Sequence, residues 1–233
     1  WSYGDGELTP IGMRQHYLLG YRNMKRYAHY LSPSFDPKEI YVISTDVNRT
    51  IMSAYSHLQG MYPPSTGPVL YDNQTDNVPP FNDTDYHDLI KELGNYSLPY
   101  RSQVFPIHVL GSSDNYYKLN DAYVCKGVAN ILEKNMKKKS VIDFINNYSM
   151  KYSDLLKSLY NITSIDHETI WKVSDAFVAG FTERKYYPEM NETFYNYFYN
   201  ESLYALDDGL FDEMFDDENF YLGRMSMSPI VRR

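Results

Sequence analysis

IYVISTDVNRTIMSAYSHLQGMYPP, residues 40–64, places a β-branched run directly before an amphipathic helix pattern. The run from Ile40 to Ser44 is typical of a buried parallel strand. The residues after it repeat their apolar side chains at helical spacing, which predicts an α-helix. These apolar residues are Ile51, Ala54, Tyr55 and Leu58. The stretch therefore predicts a strand, a tight turn and a helix.

Polar and helix-breaking residues mark both ends of this predicted helix. We expect Thr45 or Asp46 to cap its start, and Gly60 with the following proline pair to end it. Arg49 lies in the first turn, where backbone N–H groups favour anions and a guanidinium adds a two-pronged partner for phosphate. The stretch thus predicts an anion site with Arg49 as its cationic ligand. Taken alone, Arg49 is interpreted as a helix-start arginine that forms a surface pair.

A second amphipathic pattern precedes this stretch. Thr9 followed by Pro10 is typical of an N-cap and a first helical residue, and the helical pattern continues to about Ser32. Its apolar residues are Tyr17, Tyr21, Met24, Ala28 and Leu31. A helix, a strand and a helix in this order predict a doubly wound α/β core.

Three regions are predicted along the chain. Residues 1–115 form part of the α/β core with long surface loops, and they include a short helix near 85–93 and a strand at 104–110. Residues 116–205 form an α-helical insertion of the kind that caps a core, and residues 206–233 return to the core. The helical periodicity of the insertion is carried by Val128, Ile131, Leu132, Met136, Leu155, Leu156, Leu159, Trp171, Phe177 and Phe181.

The charge of the chain excludes some classes of partner. The 233 residues carry a net charge of -8, which argues against nucleic acid because phosphate-backbone binding needs a basic face. We interpret the lysine run at 134–139 as a solvated helix end. No apolar run reaches the length of a membrane span. The chain starts with Trp1 and shows no signal peptide, so we expect a processed, cut or partial polypeptide.

Eight N-x-S/T sequons indicate a secretory-pathway glycoprotein in a secreted or a lysosomal or vacuolar location. The alternative is chance, since Asn, Ser and Thr are all common in this chain. Asn48 is the weakest candidate because it lies in the predicted anion-binding turn. The other seven candidates for N-linked glycans are Asn73, Asn82, Asn95, Asn147, Asn161, Asn191 and Asn200.

The sequence contains no recognisable metal or cofactor motif. The six histidines have neither H-x-H nor H-x-x-x-H spacing, and neither a G-x-S-x-G elbow nor a Walker loop occurs. We therefore expect no metal centre and no cofactor, and we interpret each histidine, taken alone, as a packed or surface residue. The lone Cys125 is either half of a disulfide, a free thiol or a buried apolar residue.

Two long blocks, GELTPIGMRQHYLLG at 6–20 and YVISTDVNRTIMSAYSHLQGMYPP at 41–64, resemble the histidine acid phosphatases of the lysosomal and prostatic type. Weaker similarity continues at 106–109, around 170–175 and at 221–230. The resemblance implies a phosphoglycerate-mutase-like doubly wound core with an α-helical cap. It also implies hydrolysis of phosphate monoesters through a phosphohistidine, without a cofactor.

The resemblance assigns a single site residue in this chain, Arg49, as a ligand of the substrate phosphate. The family's R-H-G-x-R-x-P motif, which carries the nucleophile, would lie before Trp1, and its His-Asp motif would follow Arg233. We therefore predict no catalytic residue in this segment and no activity of the segment alone. Ile43 replaces an arginine common in the family, and the resemblance places the disulfide partner of Cys125 downstream of the segment.

Two functions follow as hypotheses. In the first, the segment is the central part of a secreted or lysosomal acid phosphatase that acts on a phosphate monoester. In the second, it is a catalytically dead relative that serves as a structural or interaction glycoprotein in an extracellular assembly. The 25 tyrosines fit half-buried packing, and they leave open a surface for a homo-oligomer or another assembly partner.

Overall fold

The computed structural model describes residues 4, 6–72, 74, 86–109, 126–162, 164–185 and 199–202. The chain divides into two compact units, Trp1–Asp114 and Asn115–Arg233. Several predictions concern residues outside the described ranges. These are the sequons at Asn73, Asn82 and Asn191, the role of Cys125 and the return to the core at 206–233.

The first unit alternates helices with short strands. Its elements are α1 (Pro10–Tyr27), β1 (Val42–Ser44), α2 (Asn48–Met61), α3 (Tyr86–Leu93), a 3-10 turn (Pro99–Arg101) and β2 (Ile107–Val109). The predicted helix–strand–helix order is confirmed, and both predicted strands are present in shortened form. The short helix predicted near 85–93 is confirmed as α3.

The strands β1 and β2 form a parallel pair. Val42 lies opposite Ile107, Ile43 opposite His108 and Ser44 opposite Val109. Parallel neighbours need a crossover between them, and here the crossover includes α2 and α3. This arrangement confirms the α/β class within the described part of the unit.

Helices α1 and α2 cross at two glycines. A Cβ atom added to Gly20 would lie 1.9 Å from the backbone oxygen of His57, and one added to Gly60 would lie 1.9 Å from that of Tyr17. The backbones therefore touch directly, and α1 buries Gly20 rather than a large side chain. Tyr17 and Tyr21, which were predicted on the apolar face of α1, are more than a third exposed, so that prediction is wrong. The predicted end of α2 between Gly60 and the proline pair is confirmed at Met61, but Gly60 itself is a packing contact inside the helix.

The end of α1 also differs from its prediction. The helix ends at Tyr27, about five residues before Ser32. Ser32 instead donates from its backbone N–H and its hydroxyl to the carboxylate of Glu39, at 2.8 and 2.5 Å. This contact with a later residue holds the chain in a turn, which the local helical pattern does not reveal.

A small, largely aromatic core stabilises the first unit and packs against residues of both strands. Leu58, Tyr62 and Phe105 are buried, and Phe35 packs edge-on against both rings at 5.6 and 5.2 Å between ring centroids. Edge-to-face packing of this kind adds to the hydrophobic gain of burial. The core joins the end of α2 to the segment that leads into β2, and so fixes both elements relative to each other.

The second unit is helical in its described residues. It contains α4 (Lys126–Asn135), α5 (Lys139–Tyr160) and α6 (His167–Thr182), and residues 199–202 are also helical. Its core includes Val141, Tyr148, Leu156, Ile170 and Phe177. The predicted helical periodicity is confirmed for Leu132, Leu156 and Phe177, which are buried. Trp171, which was counted in the apolar periodicity, is 42% exposed because it follows the buried Ile170 and lies off the buried face of α6.

Candidate functional site

Arg49 is the second residue of α2 and lies five residues after Ser44, the last residue of β1. The helix has Val47 as its N-cap residue, and no side chain caps its N-terminus by a hydrogen bond. The prediction that Thr45 or Asp46 would cap the helix is therefore wrong. Because the first backbone N–H groups of a helix lack partners within the helix, an uncapped start favours a bound anion.

The hydroxyl groups around the turn bind one another instead of capping the helix. The Thr45 and Thr50 hydroxyl oxygens lie 2.8 Å apart, and the Ser44 hydroxyl donates to the Thr50 oxygen at 3.1 Å. The Thr50 hydroxyl also lies 2.8 Å from the carbonyl oxygen of Val47. This network ties the last residue of β1 to the first turn of α2, and it positions Arg49 at the carboxyl end of a strand.

The segment before α1 contacts the first two residues of α2. The Arg49 Nη1 donates to the carbonyl oxygen of Gly6 at 3.3 Å, and the Asn48 amide donates to the Glu7 carboxylate at 3.3 Å. Gly6 has a φ of +75°, a backbone conformation that favours glycine. Gly6 and Glu7 were not predicted as site residues, although Gly6-Glu7 opens the first block of the family resemblance.

This arrangement can bind an oxyanion. The Arg49 side chain is exposed and donates one hydrogen bond to a neutral carbonyl, so its positive charge is not neutralised by that contact. A guanidinium carries five N–H donors in a fixed fork that matches two oxygens of a phosphate. The exposed Arg49 guanidinium and the uncapped N-terminus of α2 therefore lie next to each other and offer donors and positive charge of the kind that oxyanions accept.

Four of the six described histidines make ring contacts with an aromatic residue or with each other. His108 stacks on Tyr41 with ring centroids 4.4 Å apart, and His29 lies against Tyr30 at 4.0 Å. His16 and His57 meet edge-on at 6.5 Å. Within the described ranges, no three His, Cys, Asp or Glu residues are grouped closely enough to hold a metal ion. The helices in those ranges also lack the length and apolarity of a membrane span.

His57 lies beside the glycine crossing, where its carbonyl oxygen faces Gly20. Burial lowers the pKa of His57 below its usual 6.5, and the neighbouring His16 lowers this pKa further. The Asn23 amide nitrogen lies 3.3 Å from the His57 Nε2. Because an amide N–H only donates, the neutral ring accepts at Nε2, and protonation would remove that acceptor. The α1–α2 contact therefore prefers a neutral His57.

The pH dependence of stability follows from this shift. A histidine whose folded-state pKa is lowered contributes stability that is present above about pH 6.5 and is lost as the pH falls below it. We expect the urea concentration at the midpoint of unfolding of the wild-type chain to fall as the pH falls below about 6.5. His57→Gln should reduce this fall, because Gln can accept the hydrogen bond from Asn23 without titrating. The same change at the exposed His87 is the control. A wild-type pH profile retained by His57→Gln would contradict the assignment.

Comparisons with a protein family and with individual known proteins both indicate similarity to histidine phosphatases. The model of the histidine phosphatase superfamily, branch 2, matches residues 1–207 of the chain. A lysosomal acid phosphatase from Xenopus laevis is 30% identical over 178 residues, which are 75% of this chain and 34% of that protein. The human prostatic acid phosphatase is 47% identical over 64 residues, which are 28% of this chain and 17% of that protein. The matched part of the chain thus spans at most about a third of these two relatives.

Proposed function

Because this chain belongs to the histidine phosphatase superfamily, branch 2, we propose that it forms part of an acid phosphatase that hydrolyses phosphate monoesters. Membership fits a phosphoglycerate-mutase-like α/β fold, and the parallel strands β1 and β2 support that architecture. We extend the proposal to the division into a core at 1–115, a helical cap at 116–205 and a return to the core at 206–233. Neither the family nor the relatives favour the non-catalytic alternative.

The position of Arg49 carries the proposal. It lies at the carboxyl end of β1 and at the uncapped start of α2, which is where an α/β fold binds phosphate groups. Its charge would neutralise the oxygens of the phosphoryl group as negative charge builds up on them during transfer. The Ser44–Thr45–Thr50 network holds the turn in place, so the helix start needs little reorganisation to bind an anion.

Hydrolysis of p-nitrophenyl phosphate tests the proposal. We expect the native protein to release p-nitrophenol at acid pH, with inorganic phosphate as a competitive inhibitor. The chain of 233 residues produced alone is expected to bind phosphate weakly and to turn over nothing, because it contains no R-H-G-x-R-x-P sequence. A native protein that hydrolyses no phosphate ester would overturn the proposal. Turnover by the chain alone would overturn the requirement for that motif.

We also propose a secreted or lysosomal location with N-linked glycans. The names of the relatives, lysosomal and prostatic acid phosphatase, support the location. Four sequon asparagines in the described ranges are exposed, namely Asn95, Asn147, Asn161 and Asn200. Mass spectrometry after enzymatic deglycosylation should find aspartate at these four positions. Asn48 should remain unmodified, since a glycan there would displace its bond to Glu7. Unmodified asparagine at all four positions would contradict the proposal.

A further inference from the structure

Helix α1 is basic although the chain as a whole is acidic. Between Pro10 and Tyr27 the helix carries Arg14, Arg22, Lys25 and Arg26 and no acidic residue, whereas the chain has a net charge of -8. A charge distribution this uneven creates a local positive field that the net charge hides. The helix is therefore a candidate surface for an anionic partner.

Three of these cations share one face of the helix. At 100° per residue, Arg14, Leu18, Arg22 and Lys25 fall within about 80° of one another, roughly opposite the buried Gly20 that packs on α2. We call these four residues the cationic face. All four are exposed, and Leu18, in the middle of the face, exposes 57% of its surface. The packing of α1 on α2 thus turns the cationic face toward solvent.

Apolar and aromatic groups border the cationic face. Leu19 is 49% exposed and Tyr21 is 45% exposed, and the Lys25 ammonium lies 4.5 Å from the centroid of the Tyr21 ring. Exposed aliphatic side chains beside lysine and arginine match the interface of a lipid bilayer, where the apolar groups enter the headgroup region and the cations meet phosphates. A polyanion such as a sulfated polysaccharide would use the cations but would leave Leu18 in water.

We propose that the cationic face of α1 binds peripherally to a membrane surface that contains anionic phospholipids. Each of its three cations attracts the negative surface, and Leu18 inserts among the headgroups. The binding is electrostatic at long range, so it weakens as salt concentration rises. This site lies on the opposite side of α1 from the α2 crossing, and its function does not depend on the phosphatase proposal.

Vesicle co-sedimentation of the native protein tests this proposal. We expect binding to vesicles of phosphatidylcholine with phosphatidylserine, and little binding to phosphatidylcholine alone. The double variant Arg22→Gln with Lys25→Gln should bind roughly twenty-fivefold more weakly, at about fivefold for each charge. The matched control is Lys134→Gln with Lys139→Gln, which makes the same charge change in the lysine run at 134–139. It should change the affinity by less than about twofold.

Leu18→Gln separates a lipid surface from other polyanions. It leaves the charge unchanged at an exposed position, and it should weaken vesicle binding by about fivefold while leaving binding to heparin unchanged. Equal vesicle binding by the wild type and the Arg22/Lys25 double variant would overturn the proposal. Binding to heparin but not to anionic vesicles would also overturn it, in favour of a polysaccharide partner. Circular dichroism confirms that each variant keeps the helical content of the wild type.

Discussion

Arg49→Ala in the native protein is expected to lower kcat/KM for p-nitrophenyl phosphate by about a hundredfold or more. The guanidinium would stabilise charge that develops on the phosphoryl oxygens in the transition state, and alanine leaves that charge without a partner. The substitution should affect folding little, since the side chain is exposed and its one described hydrogen bond is a 3.3 Å contact to Gly6. Steady-state kinetics and urea unfolding of the same preparations measure the two effects separately.

Two further variants define the role of Arg49. Arg49→Lys keeps the positive charge but loses the planar fork, so we expect a smaller loss, of about tenfold. Arg184→Ala removes an exposed arginine just after α6 and should leave kcat/KM unchanged. Wild-type turnover in Arg49→Ala would show that Arg49 does not bind the phosphoryl group. Equal losses in Arg49→Ala and Arg184→Ala would point to a general effect of charge.

Gly20→Ala is expected to destabilise the first unit by about 3 kcal/mol or more. The new methyl group would lie 1.9 Å from the His57 carbonyl oxygen and 2.8 Å from the His57 carbonyl carbon, so α1 and α2 must move apart. Alanine favours a helix over glycine by only about 1 kcal/mol, which does not offset the separation. Gly60→Ala should behave alike, because its methyl group would meet the Tyr17 carbonyl oxygen at 1.9 Å. Urea unfolding followed by circular dichroism measures the loss.

Gly12→Ala is the matched control within α1. Its methyl group would approach the Leu8 Cδ1 at 2.8 Å, and that atom is the end of a side chain that can rotate away. The helical preference of alanine then dominates, and stability should stay the same or rise by up to about 1 kcal/mol. If Gly20→Ala and Gly12→Ala unfolded at the same urea concentration, the direct contact of the two helix backbones would be refuted.

The sequence predicted secondary structure well where one local pattern was sufficient. The β-branched run before Asp46 is a strand, and the apolar periods of α1, α2 and the helices after residue 126 are helices. The same local patterns misplaced the ends of helices. Ser44, Thr45 and Asp46 are all polar residues shortly before α2. Only the tertiary contacts show that the hydroxyls of Ser44 and Thr45 bind Thr50 rather than the helix backbone.

The two glycines of the helix crossing show a second feature that a local sequence pattern does not predict. Glycine within a helical pattern is compatible with a helix end, a weak point or a close contact, and the pattern by itself does not distinguish them. Gly60 was predicted to end α2, yet it packs against Tyr17 one residue before the helix ends. Its partner Gly20 lies 40 positions earlier, so only the three-dimensional arrangement relates them.

By itself, the sequence determined the α/β class, the family and Arg49 as the candidate phosphate ligand, because these depend on neighbouring residues and on two contiguous blocks. The tertiary structure decided what surrounds Arg49. It brought Gly6 and Glu7 to the start of α2, left that helix uncapped and set α1 and α2 in backbone contact, which turned the cationic face of α1 outward. Each of these features joins residues far apart in the chain, and their contacts depend on how the elements pack rather than on any local pattern.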